Sequence, residues 1–130
     1  MLQRLVVPLL AVAIGLMVAA PALAQGPLVK VARDPSLGPI LVDSKGMVLY
    51  LYSRDEKGVS NCYDQCATNW PPLMAPAGAA AQGAWTTVTR RDGAKQWAYN
   101  GKPLYTWIRD QKPGDTTGDG VNNVWKIAKP

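Results

Sequence analysis

Gly46-Met47-Val48-Leu49-Tyr50-Leu51-Tyr52-Ser53-Arg54-Asp55 returns 55 residues later as Gly101-Lys102-Pro103-Leu104-Tyr105-Thr106-Trp107-Ile108-Arg109-Asp110. Gly, Leu, Tyr, Arg and Asp are identical in the two stretches, and Tyr52 is answered by Trp107. The same offset carries Trp70 onto Trp125. Each unit therefore reads G-x-x-L-Y-x-aromatic-x-R-D, followed 15 residues later by Trp. Seven correspondences at one offset indicate a duplicated supersecondary unit that buries its face against its twin.

Outward from this repeat, alternation and turn chemistry predict strands. Leu28 to Ala32 and Ile40 to Asp43 are short apolar runs, and Ser44-Lys45-Gly46 is a turn. Met47 to Ser53 is apolar on both faces, as in a central strand. In the second unit, Trp85 to Arg91 alternates and is followed by the hairpin signal Asp92-Gly93. Lys95 to Tyr99, the type I′ signal Asn100-Gly101, and Pro103 to Ile108 come next. Val124 to Ala128 reads as the last strand. The expected fold is all-β, mostly antiparallel meander and hairpins, with a two-fold internal repeat. One short helix within Ser60–Asn69, with Ser60 as N-cap, would be stopped by Pro71-Pro72. The repeats span about 37–72 and 92–127, joined by the low-complexity linker 75–84. Pro113 to Asn123 reads as a Gly/Asp loop.

The N-terminus sets the compartment. Arg4 is the only charge before Lys30, Leu5 to Ala20 is almost wholly apolar, and Ala22-Leu23-Ala24 supplies small residues at the −3 and −1 positions of a cleavage site. This is the pattern of a signal peptide over residues 1–24. The 16-residue apolar run is short for a span of about 20. Cleavage would leave one β-rich domain of residues 25–130, periplasmic or secreted. Without Arg4 the chain carries 13 basic and 9 acidic residues, scattered apart from Arg90-Arg91, and reads as ordinary solubilising charge. Nucleic acid is not an expected partner, and attraction to anionic envelope polymers would be weak.

The motif, as it stands in Tyr50–Asp55 and Tyr105–Asp110, resembles the Y-x-(F/W/Y)-x-x-D signature of a bacterial secreted-repeat family often described as predicted lipoproteins. Cys62, Cys66 and Trp70-Pro71-Pro72 resemble that family's C…C…WPP stretch. The likeness covers roughly residues 37–127. The family's function is unknown, so the resemblance brings no catalytic residues. Gln25 stands where a lipoprotein would carry its lipid-bearing Cys, so no membrane anchor is expected after cleavage.

The chain has no His, which removes Ser-His-Asp and Cys-His catalysis and a C-x-x-C-H haem site. Cys62 and Cys66 form a C-x-x-x-C pair. In an oxidising compartment that pair reads first as a disulfide, contributing on the order of 2 kcal/mol through its short loop. The alternative is a metal or redox protein that holds a soft ion on the two thiolates, with Met47 and Met74 as the other soft ligands. Asp110, Asp115, Asp119 and Asn123 imitate part of a calcium loop, but Lys126 stands where the bidentate acid belongs. A Gly/Asp turn explains the same letters. No metal and no cofactor is expected. Asp55 and Asp110 are equivalent positions and offer a second alternative, an unrecognised hydrolase with a carboxylate pair. Each follows an Arg, so turn or ion-pair roles beside Arg54 and Arg109 are favoured over catalysis.

The aromatic inventory is five Trp, five Tyr and no Phe. Every ring carries a hydrogen-bonding atom, which suits half-wet surfaces and binding sites. Tyr50 and Tyr52 share a strand face, as do Tyr105 and Trp107. With Trp70 and Trp125 they form either the core between the two units, the favoured reading, or a platform for a ligand. The expected function is a non-enzymatic exported module that binds an envelope protein or glycan.

Overall fold

The computed structural model describes residues 30–130, preceded only by Pro8 and Gly15. The expected cleavage between Ala24 and Gln25 lies outside the described residues. The strands are β1 (Lys30–Asp34), β2 (Gly38–Val42), β3 (Tyr50–Tyr52), β4 (Met74–Ala75), β5 (Trp85–Thr89), β6 (Lys95–Tyr99), β7 (Lys102–Pro103) and β8 (Trp125–Ile127). One α-helix, α1 (Gln65–Asn69), and one 3-10 turn at Val121–Asn123 complete them. All strand pairings are antiparallel. β1 and β2 form a hairpin, and β5, β6 and β7 run as a meander in which β4 and β7 share the edge of β6 opposite β5.

Local chemistry accounts for the turns. Asn100 (φ 50°) and Gly101 (φ 80°) both adopt the left-handed conformation that a type I′ turn requires. Before β3, Asp43 Oδ1 accepts the amides of Lys45 and Met47, each at 2.9 Å, and closes the turn on Gly46. The helix begins later than expected. Asp64 precedes it with φ 55° and no side-chain cap. Ser60 does not cap the helix; it is buried and bonded elsewhere.

The two repeats are exchanged. β3 of the first repeat pairs with β8 of the second, Tyr50 opposite Ile127 and Tyr52 opposite Trp125. Reciprocally, Tyr105 bridges Pro72, and the Thr106 amide donates to the Pro71 carbonyl at 2.9 Å. The twin strands meet at one reciprocal pair: Tyr50 N donates to Tyr105 O at 2.8 Å and Tyr105 N to Tyr50 O at 3.1 Å. A pseudo-two-fold axis therefore passes between these tyrosines. Flanking bonds obey it as well. Leu49 donates to Leu41, Leu41 to Ala128 and Ala128 back to Leu49; Leu104, Trp97 and Leu73 repeat this three-membered cycle. Because the residues before β3 pair with the β2 end instead, Val48 with Val42 and Leu49 with Leu41, only Tyr50–Tyr52 of the strand expected over Met47–Ser53 makes a regular ladder with β8.

This topology explains the doubly apolar central strand. Val48, Tyr50 and Tyr52 face one core, which also holds Ile40, Val42, Cys62, Trp70, Tyr105, Trp125 and Ile127. Leu49 and Leu51 face a second core with Leu41, Trp97, Leu104 and Ala128. Period-2 alternation thus feeds two cores from one strand.

Candidate functional site

The first core is organised by rings. Tyr52 stacks on Trp125 (centroids 4.4 Å, planes 14° apart), Trp125 on Trp70 (3.8 Å, 5°) and Trp70 on Trp107 (3.9 Å, 25°). The order Tyr52–Trp125–Trp70–Trp107 is symmetric under the repeat, so the pseudo-axis runs through the central Trp pair. Tyr50 meets Trp70 edge-on at 5.3 Å, and Tyr105 meets Trp125 edge-on at 5.2 Å. Tyr50, Tyr105, Trp70 and Trp125 are buried, whereas Tyr52 and Trp107, at the two ends, are half-buried.

The hydroxyls of the buried tyrosines reach across the repeats. Tyr50 Oη donates to Asp110 Oδ2, and Tyr105 Oη donates to Asp55 Oδ2, both at 2.6 Å. Of the turn or ion-pair roles expected beside Arg54 and Arg109, the aspartates take the first and bind loop amides. Asp110 Oδ1 accepts from the Thr117 amide and hydroxyl, and Asp55 Oδ1 from the Asn61 amide. They do not form a carboxylate dyad, because each faces the tyrosine of the other repeat rather than its twin. Burial and the adjoining carboxylates push both phenols well above their ordinary range.

Desolvation raises Asp55 above the ordinary 3.8, outweighing the opposing bonds from Tyr105 and Asn61 and the pull of Arg90. A raised folded value means that the native state holds this proton more tightly than the unfolded chain. The stabilisation is present below the unfolded value and is lost as pH rises through the folded one. Asp55→Asn cannot titrate. The stability of the parent relative to this variant is therefore expected to fall with rising pH across that window, as urea midpoints at successive pH values would record.

Arg90 departs from the reading of Arg90-Arg91 as solvated charge. It is 7% exposed, with Nη1 donating to Ser60 Oγ at 3.0 Å and Gln96 Oε1 at 2.8 Å, and Nη2 to the Cys62 carbonyl at 2.7 Å. Ser60 Oγ also lies 2.7 Å from Tyr105 Oη, which links Arg90 to the Tyr105–Asp55 pair. The Tyr63 ring lies under both guanidiniums, with Arg90 at 4.3 Å and Arg91 at 4.1 Å from its centroid. Only the register betrays this role: Arg90 sits where the second hairpin meets the loop that carries Ser60 and Cys62.

Gly118 also escaped the sequence reading, which placed it in a generic Gly/Asp loop. It is buried, its amide donates to Tyr50 Oη at 3.2 Å, and a Cβ there would lie 2.8 Å from Trp70 and 2.9 Å from Tyr50. Both obstacles are packed rings that cannot swing away. Gly118→Ala is expected to cost about 1–3 kcal/mol by overpacking, read as a lower urea midpoint at unchanged m-value.

The Cys62 and Cys66 sulfurs stand at bonding distance, 2.08 Å, so they are not thiolate ligands here. The acids of the calcium-like loop have internal partners: Asp115 accepts the amides of Gln111 and Lys112, and Asp119 that of Ile127. The linker 75–84 contributes Ala75 to β4 and otherwise runs in turns.

Beside Tyr52 opens a cleft of about 310 Å³, lined by Leu51, Tyr52, Glu56, Lys57, Lys102 and Lys126 among others. A shallower depression continues from it past Lys102 and Lys126 to Lys129. The four lysines are exposed. The repeat offset relates Lys102 to Met47 and Lys126 to Pro71, whereas Lys57 is answered by Lys112 and Asn100 by Lys45, so the face beside Trp107 carries lysines at different positions.

Fold and site together define a duplicated β domain whose halves are interlocked around a ring stack. The chain belongs to the family described as a secreted repeat of unknown function, which it matches twice, over residues 31–74 and 86–129. The two matches are offset by the same 55 residues as the motif and begin a few residues before the repeats read from sequence. No curated protein and no solved structure matches the chain significantly. Among the described residues no helix is long and apolar enough to cross a membrane.

Proposed function

We propose that this secreted repeat protein is a non-enzymatic module of the periplasm or cell exterior that binds an anionic envelope glycan in the cleft beside Tyr52. The observation that carries the reading is the group of exposed lysines around a cleft that opens beside the half-buried Tyr52 ring. Lys102 and Lys126 line the cleft at positions where the other repeat has Met47 and Pro71, while that repeat carries Lys45 in place of Asn100 and Lys112 in place of Lys57. Lys57 and Lys129 extend the positive stripe. Of the three nearby acids, Asp55 and Asp119 are engaged by Tyr105 and by the Ile127 amide, and Glu56 lines the cleft beside Lys57. A row of lysine ammonium groups beside an aromatic ring suits a polymer of acidic sugars, with charge directing encounter and the ring contacting the sugar body.

Titration calorimetry with polygalacturonate, and with neutral dextran as control, tests the reading. The acidic polymer is expected to bind, more weakly as salt screens the lysines. Lys102→Glu and Lys126→Glu should each weaken binding about 1.4- to fivefold, the worth of an exposed ion pair of roughly 0.2–1 kcal/mol. Equal binding of dextran, or no effect of either substitution, would overturn the proposal and leave a protein partner as the better candidate.

A further inference from the structure

We propose that the stack Tyr52–Trp125–Trp70–Trp107, with its two Tyr–Asp pairs, is a relay for oxidising equivalents. A hole that enters at a half-buried end of the stack is held on Tyr50 or Tyr105. This goes beyond glycan binding and does not rest on it. The stack is continuous, with neighbouring ring centroids 3.8–4.4 Å apart, and it runs between two half-buried ends through two indoles that are each 4% exposed. A buried phenol needs a hydrogen-bond partner in any case, but a neutral oxygen would serve. Yet each fully buried tyrosine lies edge-on to one of the central indoles and donates its hydroxyl hydrogen to a carboxylate at 2.6 Å. At the Trp107 end, the Arg109 guanidinium lies 5.9 Å from the ring centroid. A cation there disfavours a positive hole on Trp107 and drives it inward.

The steps balance as follows. A one-electron oxidant at the surface, such as a high-valent haem centre or an inorganic radical, takes one electron from Trp107 and is itself reduced by one. The indole radical cation is refilled by Trp70, and Trp70 in turn by Trp125 or Tyr50. When tyrosine supplies the electron, its hydroxyl proton moves to the bonded aspartate. The products are a neutral phenoxyl radical, a protonated Asp110 or Asp55, and restored indoles. A one-electron reductant at the Tyr52 end then returns the electron, and the aspartate returns the proton.

Pulse radiolysis with the azide radical as oxidant tests this in the mature protein. The best background is Trp85→Phe with Tyr99→Phe and Tyr52→Phe, which removes the two other touching Trp–Tyr pairs among the described residues and keeps a ring at the end of the stack. The expected result is a tryptophan radical that decays in first order as the phenoxyl signal rises. The rate should be independent of protein concentration and slower in deuterated water. Tyr50→Phe with Tyr105→Phe should abolish the fast phenoxyl rise and leave the tryptophan radical long-lived. Asp55→Asn with Asp110→Asn, which keeps the side-chain shape, should slow the rise. If the substituted chains fail to fold, the unsubstituted tyrosines still decide the matter. A phenoxyl rise that scales with protein concentration, or no rise at all, makes the stack packing only and overturns the proposal.

Discussion

Trp70→Ala and Trp125→Ala are each expected to lose about 3–5 kcal/mol of stability, the usual cost of truncating a buried large aromatic. Each indole is 4% exposed and touches rings on both faces and at one edge. Its removal opens a void between two rigid planes tied to different segments, Trp107 and the β8 residue Trp125 around Trp70, and the β3 residue Tyr52 and Trp70 around Trp125, so collapse around the void is restricted. A domain with about 5–15 kcal/mol in total would be left marginal. Urea melts give the size of the loss. Loss of the coupled-indole signal in near-ultraviolet circular dichroism would tie it to the stack. The end rings separate core from surface: Tyr52→Ala and Trp107→Ala should cost less, because both are half-buried. Melts of the Trp70 and Trp125 variants that overlay the parent would show that the stack does not hold the halves together.

A larger effect is expected from cutting the chain between its repeats. Neither 25–84 nor 85–130 should fold alone, and an equimolar mixture should recover the native spectrum. In the first fragment β3 loses β8, and Pro71 and Pro72 lose Tyr105 and Thr106. Each buried tyrosine loses its aspartate, and the central indole pair is split. A unit of this size buries too little surface to offset chain entropy, and here the missing half also carries its hydrogen-bond partners. Size-exclusion chromatography and circular dichroism of the fragments, separate and mixed, are the measurements. A cooperative thermal transition in either fragment alone would mean that the repeats are independent and the exchange is incidental.

Much of this architecture was legible in the sequence because it is written in local signals. The 55-residue offset, the Asn100-Gly101 turn and the doubly apolar strand through Tyr50 each depend on residues close in the chain. Strand ends were less legible. Pro103–Ile108 reads as one strand, but in the fold Leu104 bonds Trp97 and Leu73 while Tyr105 bonds Tyr50. Alternation says which way a side chain points and is silent on which strand lies alongside. Asp55 and Asp110 were singled out correctly as equivalent positions. Their partners were not foreseen, because Arg54 and Arg109 are neighbours in sequence whereas the tyrosines are 50 and 60 residues away.

The sequence by itself determined the duplication, the all-β class, the absence of histidine chemistry and the identity of the paired aromatics. Tertiary structure alone decided that the repeats exchange strands, that Trp70 and Trp125 lie face to face, that Arg90 is buried among Ser60, Gln96 and Cys62, and that Gly118 closes over the rings. The physical reason is that residue type and period fix what a segment must bury, whereas the burial partner is chosen by competition among all segments. In a duplicated chain each strand meets two near-identical candidates. No local preference distinguishes them, and the choice falls to the packing of the whole, here the arrangement that joins four rings from both repeats into one stack.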